Sequence, residues 1–286
     1  MKRAAQWIGI GAAGLAGLLA LAATGIFLVS SYILGRNHEA KAETLAPPTP
    51  RIMADAPRLA RIQGCVSCHG EGLTGRVLVD TPAFARVTAP NLTEVAARAT
   101  DQQLAAAIRQ GIGHDGRALF IMPSPQYSRL SDAEVAGLIK FVRSQPRAPG
   151  KVEGFRPGPI GRTVVVTGGL RPAPAKIEEY RTKVPVHLGA SYAAGRRLAA
   201  TSCSECHGPA LQGQKMEDGN VTPDLTIAGA YDYEQFRTLL RTGKTPGNKR
   251  LGLMKEVAEK DFVHLTEAET KSLHDYLRAR AEKLAN

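Results

Sequence analysis

All four cysteines of the chain fall in two copies of one five-residue pattern. Cys65, Cys68 and His69 form C-V-S-C-H, and Cys203, Cys206 and His207 form C-S-E-C-H. Two thiols at this spacing, followed at once by an imidazole, are the attachment signature of c-type haem. The thiols bond to the two vinyl groups of one porphyrin as thioethers. The histidine is then held beneath the ring, where it ligates iron as the proximal ligand. A redox-active C-x-x-C needs a βαβ setting and no histidine. A zinc site needs four ligands per metal, and a disulfide framework has no reason to set each cysteine pair ahead of a histidine. The pattern points to two covalently attached haem c groups.

The elements that must position these residues repeat along the chain. Leu73 and Gly75 follow the first motif as Leu211 and Gly213 follow the second, and Pro90-Asn91-Leu92-Thr93 matches Pro223-Asp224-Leu225-Thr226. Thr100 with Gln103, and Asp232 with Gln235, read as capping residues at helix starts. Gly111 and Gly243 read as left-handed caps that end those helices. Ser131 with Glu134, and Thr266 with Glu269, open a final helix in each half with the S/T-x-x-E box. Val135, Leu138, Ile139 and Val142 then lie on one helical face, as do Leu273, Tyr276 and Leu277.

The repeat also places two methionines. Met122 and Met254 each lie 11 residues beyond the capping glycine, in the loop before the last helix. Met1, Met53 and Met216 have no equivalent partner. Met122 and Met254 are therefore assigned as the distal iron ligands opposite His69 and His207. Histidine–methionine ligation fills both axial positions, which raises the potential and suits electron transfer rather than substrate binding. His114 and His264 lack repeat counterparts, as do His38, His187 and His274.

Ahead of both motifs runs a charge-free stretch from Trp7 to Leu34, 28 residues long. About 20 residues suffice to cross the bilayer core as a helix. Lys2 and Arg3 put the N-terminal end in the cytoplasm and everything after Arg36 outside it. A cleaved export signal is the competing reading, and it exports the chain equally. The net charge of +11 comes without a nucleic-acid motif, so nucleic acid is not an expected partner. Ala46-Pro47-Pro48-Thr49-Pro50 reads as a stiff tether lifting the first domain off the membrane. The Pro- and Gly-rich segment 147–186 carries Arg147, Lys151, Arg156, Arg162, Arg171, Lys176, Arg181 and Lys183 against three glutamates. Thr163 to Thr167 reads there as a short strand. A segment this long either docks on a partner, lies across both domains, or is a solvated linker.

Both halves resemble class I cytochrome c domains. The first is similar to the haem domains in the membrane-bound cytochrome subunits of bacterial alcohol, gluconate and aldehyde dehydrogenases. The resemblance rests on C-V-S-C-H-G, A-P-N-L-T, R-Q-G with H-D-G-R, I-M-P and Y-S-R-L-S-D-A-E. It covers about residues 57–146 closely and 187–286 more loosely. It implies that Met122, in the Met-Pro pair, is a distal ligand. Met254 departs, being followed by Lys255, with a loop to the last helix three residues longer. The better-known subunits of that kind carry three haem motifs, and this chain has two.

The expected fold is all-α, with two tandem class I cytochrome c domains behind an N-terminal transmembrane helix. The expected divisions are 1–36 for the cytoplasmic end and anchor, 37–56 for the tether, 57–146 for the first domain, 147–186 for the linker and 187–286 for the second domain. The expected role is electron transfer rather than catalysis. The chain would be a single-pass protein of the inner membrane with both haem domains in the periplasm. It would take electrons from a dehydrogenase catalytic subunit and pass them to an oxidase or soluble cytochrome. The alternative is a dihaem peroxidase-type enzyme with one open haem.

Overall fold

The computed structural model describes residues 2–150, 153–216, 219–247 and 251–285; Met1 and Lys151 lie outside them. The charge-free stretch forms part of one helix, α1 (Lys2–Gly35). Within it Gln6–Gly35 has a mean hydropathy of 2.2 and is long and apolar enough to cross a membrane.

In the first domain Thr49 caps α2 (Pro50–Ile62), its hydroxyl accepting the Ile52 N–H, with Pro50 at the first helical position. Proline belongs there because its missing N–H has no intrahelical partner to lose. The first motif forms the short α3 (Cys65–His69). A hairpin of β1 (Arg76–Thr81) and β2 (Ala85–Ala89) comes next, then α4 (Leu92–Arg98), α5 (Asp101–Gln110), α6 (Ser124–Tyr127) and α7 (Asp132–Ser144). The α7 face carrying Val135, Leu138 and Ile139 is buried with Ala60 of α2 and Leu104 of α5 in one core.

The segment between the domains is not a plain loop. β3 (Phe155–Pro157) pairs antiparallel with β2 and completes a three-stranded sheet. Two helices follow, α8 (Pro159–Val166) and α9 (Ala173–Thr182). The strand expected over Thr163 to Thr167 is therefore helix up to Val166. Proline at the start of α8, and its packing on α1, outweigh the extended preference of three valines and two threonines.

In the second domain α10 (Ala193–Ser202) leads to the motif helix α11 (Ser204–His207). A ribbon of β4 (Gln214–Lys215) and β5 (Val221–Thr222) follows, then α12 (Thr226–Gly229), α13 (Tyr233–Thr242), α14 (Gly252–Lys260) and α15 (Glu267–Ala285). Leu273, Tyr276 and Leu277 are buried here as their counterparts are in α7. The architecture is mostly helical, as expected, with two small sheets added.

Two further expectations are corrected. The tether is extended only to Thr49, because Pro50 starts a helix. Nor does it stand free: the Gln110 side chain bonds the Lys41 N–H and C=O, each at 2.8 Å, and Gln102 bonds those of Glu43, each at 2.9 Å. The guanidinium of Arg109 closes on the Glu43 carboxylate at 2.7 Å. Met254 lies in α14 and not in a loop.

Candidate haem sites

The two motifs are held by the same devices. Gly70 and Gly208 follow the two histidines with positive φ, and in the first half Gly64 precedes α3 with positive φ too. Beyond each motif the chain turns sharply at Leu73 (φ 58°) and Leu211 (φ 66°), two leucines in the left-handed region. That conformation costs about 1 kcal/mol for a residue with a Cβ. Both side chains are fully buried, at 1% and 0% exposure, and this packing holds them there. The turn is fixed by Gly75 N–H donating to the His69 carbonyl and Gly213 N–H to the His207 carbonyl, each at 2.8 Å.

The returning strand orients each imidazole. His69 Nδ1 lies 2.8 Å from the Pro90 carbonyl, and His207 Nδ1 lies 2.9 Å from that of Pro223. A carbonyl only accepts, so Nδ1 carries the proton and Nε2 keeps its lone pair for a metal. Desolvation lowers the pKa of both rings, outweighing these carbonyl bonds, so both stay neutral at pH 7. Desolvation pushes the thiols upward. Cys65 and Cys203 reach about 12, each also raised by its motif's other cysteine, and Cys206 reaches about 11. These are not activated thiolates of the redox kind.

The methionines complete the two sets. Met122 and Cys65 both pack against the first core, and Met254 and Cys203 both pack against the second. Each half thus sets one motif thiol and a thioether against one apolar cluster, with the neighbouring motif residues supplying a second thiol and a neutral imidazole with a free Nε2. This donor set fits a covalently held haem. Asn91 and Asp224, equivalent in the repeat, brace the returning strands. Asn91 caps α4 and its amide donates to the Ala148 carbonyl at 2.8 Å, whereas Asp224 holds Arg280 at 2.7 Å.

The sequence did not reveal that each motif is gripped by the other domain. The Gln126 side chain accepts the Glu205 N–H at 2.9 Å, and Gln63, two residues before Cys65, donates to Ser202, next to Cys203, at 3.3 Å. The Tyr127 hydroxyl donates to the Gln63 carbonyl. Asp261 in turn sits beside Gly64 and Ser67 of the first motif. Arg58 with Glu269 and Arg197 with Glu134 bridge the same interface. One signal was available: Gln126 and Asp261 each stand five residues before the cap of the last helix.

A family model described as cytochrome c matches residues 53–146 and again 192–281. The chain belongs to the cytochrome c family. Membership implies covalently bound haem c and makes this an electron-transfer protein, and the two matches suggest two haems. The fructose dehydrogenase cytochrome subunit of Gluconobacter japonicus is 25% identical over 82% of this chain and 55% of its own length. The gluconate 2-dehydrogenase cytochrome c subunit of Pantoea cypripedii is 23% identical over 80% of this chain and 59% of its own length. The chain thus spans a little over half the length of these relatives.

Proposed function

We propose that this cytochrome is a membrane-anchored dihaem relay that carries electrons on the periplasmic face from a dehydrogenase catalytic subunit towards an oxidase or soluble cytochrome. The observation that carries the reading is the approach of the two motif helices across the domain interface, joined through Gln63–Ser202 and Gln126–Glu205. Electron tunnelling needs short separations, and the packing of the two motif regions against one another supports that reading.

Cys65 and Cys68 would hold one haem, and Cys203 and Cys206 the other. His69 and Met122 would hold the iron in the first domain, and His207 and Met254 would hold it in the second. Haem held there supplies the one-electron redox change. The Pro90 and Pro223 carbonyls keep the ligating nitrogens deprotonated, and the methionines keep the distal positions closed. The similarity to cytochrome subunits of fructose and gluconate dehydrogenases supports the dehydrogenase partner.

The apolar α1 supports a single-pass anchor in the inner membrane. α8 packs on its outer end, with Arg162 donating to Ser30 and Ser31 at 2.8 and 3.0 Å. The segment between the domains is thereby tied to α1. The test is intact-mass and pyridine-haemochrome analysis of the exported protein. Two covalent haems per chain, falling to one in Cys65→Ala/Cys68→Ala, are expected; one or none in the parent chain would sink the proposal.

A further inference from the structure

The two halves differ where they grip one another. Counted back from the caps Ser131 and Thr266, Gln126 and Asp261 are equivalent positions. Ser67 and Glu205, each between its cysteines, are equivalent too. The second motif therefore meets a neutral amide from the opposite domain, whereas the first meets a carboxyl. A Cβ built on Gly64 would lie 3.7 Å from Asp261 Oδ2.

Asp261 is 8% exposed, and its Oδ1 is buried without a hydrogen-bond partner. A buried polar atom left unpaired is costly and calls for a reason. Its neighbour Lys260 is turned to Glu256 at 3.1 Å. Desolvation raises the Asp261 carboxyl to about 6, against the smaller opposing effects of Ser67 and Lys260, so it is ionised at neutral pH. The second motif has its own carboxylate, Glu205, but Lys176 faces it at 3.5 Å. Arg76 donates to the Ser67 carbonyl at 2.8 Å, yet it is exposed, and solvent and salt screen its field. Of these two carboxylates facing the motifs, Asp261 is the one without an ion pair among the described residues.

We propose that Asp261, reaching across the domain interface, holds the first haem site at a lower reduction potential than the second, so that electrons run from the first domain to the second. A fixed negative charge in a poorly screened site stabilises the more positive, ferric state of a nearby iron. One electron then passes from the first site, oxidised from ferrous to ferric, to the second, reduced from ferric to ferrous. No proton or further reactant is needed. The inference rests on the dihaem reading and assigns its direction.

The test is a spectroscopic redox titration of the full-length, haem-loaded chain in detergent, comparing parent, Asp261→Asn and Gln126→Glu. Two midpoints are expected in the parent. Asp261→Asn should raise the lower one and leave the upper in place, and Gln126→Glu should lower the upper one. A lower midpoint that does not move in Asp261→Asn, or movement of the upper one instead, overturns the inference while leaving two haems intact. If Asp261→Asn fails to retain haem, Gln126→Glu decides: an unchanged gap between the midpoints contradicts the proposal. A parent chain without two thioether-bound haems would strike the dihaem reading itself.

Discussion

The Gln126 side-chain oxygen accepts the backbone N–H of Glu205 at 2.9 Å, so the turn that follows one domain's methionine is seated on the other domain's cysteine motif. With Asp261 against Gly64 and Ser67, the arrangement is a pseudo-twofold exchange. Each half finishes the wall of its neighbour's site.

Truncation of Gln126 should therefore be felt at the interface. Gln126 is 6% exposed, and Gln126→Ala leaves the Glu205 N–H without its partner. A loss of about 1–2 kcal/mol is expected, measured as a lower urea midpoint with the haem content unchanged.

Acid should loosen the same interface. For Glu134, burial acts upward, but the Arg197 and Ser131 bonds outweigh it and hold the carboxyl below its ordinary value. Glu269 is likewise held down by Arg58 and Thr266 against burial. A depressed carboxylate contributes stability that is present above its unfolded pKa and is lost as pH falls through the folded one. Stability should thus fall below the usual carboxylate range, and Glu134→Gln should flatten part of that fall. Urea unfolding across a pH series checks it.

Arg280 is 3% exposed and paired to Asp224 at 2.7 Å, with further bonds to the Ala210 and Leu211 carbonyls at 3.2 Å. Arg280→Ala should cost about 3 kcal/mol, since it strands a partly buried carboxylate and two carbonyls. Lysine should rescue little, because it lacks the planar fork. Denaturant unfolding of both variants gives the comparison.

Much of this was legible in the sequence because it rests on local chemistry. Thr100–Gln103, Ser131–Glu134 and Asp232–Gln235 form reciprocal boxes, Thr266–Glu269 makes the same bonds, and Gly111 and Gly243 are left-handed caps. What was missed is long-range. The valines at 164–166 suggested a strand until a neighbour, α1, was there to bury one side of a helix. The hairpin of β1 and β2 leaves Val77 and Val79 largely exposed, which blurs the alternation a strand normally shows. Gln102 and Gln110 bind the tether through amides eight residues apart, a pattern without a signature. Gln126 and Asp261 differ in chemistry, so only their shared offset linked them.

The strap along α5 should be separable from the fold. Arg109 bonds Glu43, the Thr44 carbonyl and Asp132 at 2.6–2.7 Å. Arg109→Ala should speed amide exchange at Lys41 and Glu43, while the buried amides of α7 keep their protection. Hydrogen exchange read by mass spectrometry tests this.

The proposed relay requires both irons to be closed, by Met122 in one domain and Met254 in the other. The most direct measurement is the visible spectrum of the reduced, haem-loaded chain before and after carbon monoxide. No change is predicted in the parent, with a shift of about half the haem in Met122→Ala and of the other half in Met254→Ala, by ligand loss at one iron each. A parent chain that binds carbon monoxide at one haem would contradict the closed relay and bring forward an enzyme with one open iron.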